Sequence, residues 1–246
     1  MRKYLSLLLA ALSVACAKET QREAEVVFSL GVPSGQITRA TTDGIAAALS
    51  SCTPAGPFSL SAKSQTNELR TYAVTTGEAL TMAVDSYAVT GSGEGRFLSN
   101  ITLGVASTSP AWAVNATVSV DGDGELSVPA NYTCLALVFD KAKTEKITIG
   151  GASSDVAVSA MGGNDEYGVV FVKYGSSSWY RDRSLQVYVF PTDKVYGDTA
   201  VYKFVSGNSE GFINARYGYW YLLQPGEVDV ASGQFGIEFP AWKEAE

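Results

Sequence analysis

The residues able to do chemistry in this chain are few, and histidine is not among them. Its absence removes Ser/His/Asp and Cys/His nucleophilic mechanisms and imidazole metal sites. Carboxylates remain. Asp121, Asp123 and Glu125 alternate as the oxygen ligands of a calcium loop do. Such a loop needs a glutamate at its twelfth position, and here that position is Tyr132, so the motif fails and a hairpin turn is the better reading. Asn164-Asp165-Glu166 and Asp182 could pair as acid and base on a glycosidic bond. Nothing in the spacing fixes their separation, and acidic loop residues are ordinarily just solvated. No catalytic residue, metal site or cofactor is assigned. The aromatic residues gather late in the chain. Tyr174, Trp179 and Tyr180 flank the Ser-rich stretch Gly175 to Ser178, and Trp179 with Tyr180 is a candidate ligand surface suited to stacking on sugar rings. Tyr217, Tyr219, Trp220 and Tyr221 form a second group, whose alternate members must face a core if the segment is a strand.

The three cysteines are Cys16, Cys52 and Cys134. Arg2 and Lys3 precede an apolar run, Leu5 to Leu12, and then Ser13-Val14-Ala15-Cys16. This is the build of a secretory leader, too short for a spanning helix. Leu12 to Cys16 resembles the lipobox of bacterial lipoproteins, which implies removal of residues 1–15, lipid on Cys16 and a membrane partner reached through that lipid. Lys18 to Glu25 is charged enough to serve as the tether, taken as residues 16–24. Export permits a disulfide between Cys52 and Cys134; two separately buried thiols are the equal alternative.

The net charge is −7 and no basic cluster is present, so nucleic acid is excluded as a partner. Strand patterns dominate the rest. In Trp112 to Val120 the alternate residues Trp112, Val114, Ala116, Val118 and Val120 share one face; Asp121-Gly122-Asp123-Gly124 follows, and Glu125 to Val128 resumes. Other expected strands are Glu25 to Val32, Arg70 to Thr75, Ala79 to Val84, Tyr87 to Thr90, Ile101 to Ala106, Thr133 to Phe139, Lys146 to Ile149 and Val156 to Ala160. Gly168 to Tyr174, Leu185 to Phe190, Ala200 to Val205, Trp220 to Leu223 and Phe235 to Phe239 complete the set. Leu135 to Phe139 is apolar throughout, which predicts a strand covered on both faces. One short helix is expected over Thr42 to Ser51, stopped by Pro54-Ala55-Gly56-Pro57. The expected fold is all-β and mostly antiparallel: two sandwich-like domains, residues 25–129 and 130–246, divided near Pro129-Ala130-Asn131, or one large sandwich.

Thr38-Arg39-Ala40-Thr41 places a basic residue in a Gly/Ser/Thr-rich stretch, a natural trypsin-type cleavage site between Arg39 and Ala40. Together with the lipobox cysteine, the tether, the first strand and the hairpin Gly77 to Thr90, this site resembles the fimbrillin-like lipoproteins, the pilus and adhesin family of gut and oral anaerobes. Ser86 stands where that hairpin's glycine is expected. Gly233-Gln234-Phe235 to Phe239-Pro240-Ala241-Trp242 resembles the endings of such lipoproteins, although Pro240 cuts the apolar alternation short. The resemblance implies a non-enzymatic protein on the cell outer membrane. It implies cleavage after Arg39, loss of the first strand, and its replacement by a strand from another pilus subunit. A surface lipoprotein that binds a glycan or protein ligand through Trp179 and Tyr180 is the alternative.

Overall fold

The computed structural model describes residues 22–31, 43–52, 56–66, 70–93, 105–150, 155–173, 184–205, 209–226 and 231–234. The strands are β1 (Glu23–Gly31), β2 (Ser59–Ser64), β3 (Thr71–Thr75), β4 (Ala79–Ala83), β5 (Asp85–Gly93), β6 (Val105–Ser107), β7 (Trp112–Val120), β8 (Gly124–Tyr132) and β9 (Leu135–Asp140). They continue as β10 (Thr144–Ile149), β11 (Val156–Ala157), β12 (Gly162–Gly163), β13 (Tyr167–Lys173), β14 (Leu185–Pro191), β15 (Ala200–Val205), β16 (Ile213–Asn214), β17 (Tyr219–Leu223) and β18 (Ala231–Gln234). One helix, α1 (Asp43–Ser50), stands among them. The fold is all-β.

The first sheet has the order β3-β2-β5-β7-β8-β1-β4. Its alternation follows the sequence: Trp112, Val114 and Val120 are buried, while Asn115, Thr117 and Ser119 are exposed. β7 and β8 pair only at Trp112–Tyr132, Ala113–Asn131 and Val114–Ala130. The ladder stops beside Pro129, which has no N–H to offer. From there back to Gly124, β8 runs parallel to β1, with Val26 opposite Gly124 and Leu30 opposite Val128. β8 thus turns the corner between two layers, and the core lies between them. β5 is longer than expected because Gly91 and Gly93 continue it. A Cβ at Gly91 would meet Leu60 at 2.4 Å, and one at Gly93 would meet the Trp112 indole at 2.2 Å, so only glycine lets those side chains lie across the strand.

β9 belongs to a second sheet, ordered β12-β13-β9-β17-β18, with β6 also on β13; a third has the order β11-β10-β14-β15-β16. Leu135, Leu137 and Phe139 join a core shared with Ile147, Val187 and Phe204 of the third sheet. Ala136 and Val138 face the other way, into the core of the first sheet and α1. The middle sheet is therefore covered on both sides, and its central strand is apolar at every position from Leu135 to Phe139, as the sequence suggested. Helix α1 buries Ile45, Ala48 and Leu49, one face at helical spacing, against this body.

The change from first to second sheet comes after Tyr132, and Pro129-Ala130-Asn131 lie inside β8. Both α1 and β6 come from the first half of the chain yet contact β13, so the halves interlock. Val156 to Ala160 is not one strand: Val156–Ala157 pairs with β10, and Val158–Ala160 makes a 3-10 turn that keeps Val156 and Val158 both buried. Phe235 to Phe239 lies outside the described residues.

Candidate functional site

The position of β1 is the feature on which function turns. β1 lies between two neighbours, antiparallel to β4 and parallel to β8. Ala24, Val26, Phe28 and Leu30 point inward at 2%, 0%, 0% and 7% exposure. Glu23 and Glu25, on the other face, are exposed. Two further hydrogen bonds hold the strand from residues outside its paired neighbours. The Glu25 N–H donates to Asp123 Oδ1 at 2.8 Å, and the Gly77 N–H donates to the Phe28 carbonyl at 2.9 Å. The tight Asp-Gly hairpin expected at Asp121–Gly124 does not form, because the residues after it pair with β1 rather than back onto β7; Asp123 instead holds the start of the β1–β8 ladder. Among the described residues no group of three or more His, Cys, Asp or Glu is placed to hold a metal ion.

β4 is an edge strand, and tyrosines close part of its open side. The Tyr87 hydroxyl donates to the Ala83 carbonyl at 2.7 Å, and the Ala83 N–H lies 3.4 Å from the Tyr72 hydroxyl. The two rings meet edge to face at 5.8 Å. Burial, with Tyr72 beside it, pushes the Tyr87 hydroxyl up to about 12. Asp85 joins β2 to β5 by accepting from the hydroxyls of Ser64 and Thr66, and those hydrogen bonds hold its carboxyl below the usual range.

The remaining candidates are placed as follows. Cys52 and Cys134 are both buried in the same core as free thiols, not joined in a disulfide. Cys52 Sγ donates to the Ala48 carbonyl within α1, and burial raises its pKa. Cys134 Sγ lies 3.3 Å from the Ala111 N–H that donates to it. Asn164 is structural: its Oδ1 accepts from the Glu166 and Tyr167 N–H groups, and its Nδ2 donates to the Gly44 carbonyl at the start of α1. Of the second aromatic group, Trp220 and Tyr221 are core residues on opposite faces of β17, Tyr217 is exposed, and Tyr219 stacks under Arg216 at 5.4 Å. Cys16, Arg39, Ala40, Trp179, Tyr180 and Asp182 lie outside the described residues.

One surface feature had no sequence signal. Asp193 caps the 3-10 turn Lys194–Tyr196 by accepting from the Val195 N–H, and Val195 is 79% exposed, Tyr196 39%. Gly197 and Gly226, at φ 96° and 71°, hold this loop against the turn after β17, backbone on backbone.

No family model matches the chain, and no curated protein matches it significantly. Solved structures do. A candidate cell adhesion protein from Bacteroides ovatus is 12% identical, over 92% of this chain and 100% of that one, with a TM-score of 0.39. A second candidate cell adhesion protein, from Bacteroides uniformis, is 8% identical over 87% and 98%, with a TM-score of 0.41. The tip fimbrial protein Mfa3 from Porphyromonas gingivalis, with a C-terminal truncation, is 8% identical over 87% and 100%, with a TM-score of 0.45.

Proposed function

We propose that this chain is a non-enzymatic surface lipoprotein of fimbrillin or adhesin type, anchored to the outer membrane through Cys16 until it is cut after Arg39, and that it then assembles with other subunits by strand addition. One observation carries the reading. The first strand is an interior strand of its sheet, and the chain enters it directly from the proposed tether. A single cut between Arg39 and Ala40 therefore severs β1 from the rest of the protein, leaving only its two ladders and its packing to hold it. Without β1 the slots of Val26, Phe28 and Leu30 would open to water at a cost of about 1.5–3 kcal/mol each. The facing edges of β4 and β8 would also be left with unpaired main-chain groups. A strand from another subunit would relieve both costs at once, with main-chain hydrogen bonds for affinity and alternate side chains for register.

The test is cleavage of the purified full chain after Arg39 with a trypsin-like protease, followed by electrophoresis without boiling. Assembly gives a ladder of oligomers from the cleaved protein and none from an Arg39→Ala variant. A cleaved protein that stays monomeric at high concentration overturns the proposal.

A further inference from the structure

The slot that β1 occupies is graded along its length. Ala24 stands opposite Met82; Val26 lies between Leu80 and Gly124; Phe28 is beside Leu126, and Leu30 beside Val128. All four inward side chains are buried, so each volume is matched to its place. Main-chain ladders do not by themselves distinguish a strand from the same strand slid by two residues, because such a slip keeps the apolar face inward. Here side-chain volume does. A slip one way drives a valine into the Ala24 place and a phenylalanine into the Val26 place, which overpacks both. A slip the other way puts alanine where Val26 was and valine where Phe28 was, which leaves cavities. Beyond Leu30, a Cβ at Gly31 would stand 2.3 Å from Ser127 Oγ, so a larger residue there must first displace that hydroxyl.

We infer that the groove under β1 selects its occupant by this order of sizes: small, branched aliphatic, aromatic and aliphatic at alternate positions, then glycine. The partner is a segment of another chain that carries the order in this register, and an apolar strand without it is rejected. The inference rests on the strand-addition reading and adds to it a rule about which strands are taken.

Two labelled nonapeptides test it. One has the sequence of Glu23–Gly31; the other carries Ala24→Phe and Phe28→Ala together, so that composition, charge and length are unchanged. The full chain is cleaved after Arg39, given a pulse of denaturant to release the clipped strand, and diluted into each peptide. The native-order peptide is expected to be retained through gel filtration, and the exchanged one to bind about tenfold more weakly or worse. Equal uptake of the two overturns the size rule and leaves strand addition standing. Uptake of neither overturns strand addition itself.

Discussion

Tyr87 puts a phenol where burial disfavours its ionised form. It is fully buried, and its hydroxyl is committed to the Ala83 carbonyl. Tyr132 and Tyr221 are likewise pushed up by burial. An unfolded tyrosine ionises near 10, whereas Tyr87 in the fold holds its proton to about 12. The folded state then binds more protons than the unfolded one across that interval, so stability is intact below pH 10 and is lost as pH rises toward 12. Thermal melts at stepped pH should show that decline. Tyr87→Phe should make it shallower, while costing about 1 kcal/mol at neutral pH for the lost hydrogen bond. The two cysteines make a second residue-scale prediction. With both thiols buried, a maleimide should label neither quickly in the native protein and both on unfolding; mass spectrometry counts the adducts.

At the scale of elements, legibility followed side-chain size. β7, β9, β14 and β15 were readable because Val, Leu, Phe and Trp fill their inward positions. β2 was missed because its buried residues are Leu60, Ala62 and Ser64, two of them too small or polar to mark a core position. β18, Ala-Ser-Gly-Gln, carries still less signal. The pairing of β8 with both β7 and β1 was hidden for another reason: the Asp-Gly hairpin signal is local, while the parallel partner lies about a hundred residues away in the chain. The β1 slot could be suspected from alternation alone, but its two neighbours could not. The loop at Val195 is held by the Asp193 cap and by the close approach of two glycines. Gly226→Ala should destabilise the protein by about 1–3 kcal/mol, because an alanine at φ 71° is strained and its Cβ would stand 2.7 Å from the Tyr196 carbonyl oxygen. Differential scanning calorimetry should register a fall in Tm of roughly 2–4 °C for each kcal/mol lost.

For the molecule as a whole, the middle sheet is the element that both cores share. Amides of Leu135–Phe139 should exchange with deuterium only through global unfolding, more slowly than those of the two-residue edge strands β11 and β16. Early exchange in β9 would show that the two cores open independently. The proposed anchor is testable on the same scale: metabolic labelling with radioactive palmitate should mark the exported protein, and Cys16→Ala should abolish the label while leaving the strand content seen by circular dichroism unchanged.

The parallel alignment of β1 with β8 has a mechanical consequence. Tension applied through Glu23 along the axis of β1 would load its hydrogen bonds to β4 and β8 in shear rather than peel them one at a time. Rupture under force is governed by the unfolding rate, and a sheared ladder must lose many bonds in a single step. An anchor attached ahead of Glu23 would pull the molecule in the direction in which its first strand holds best.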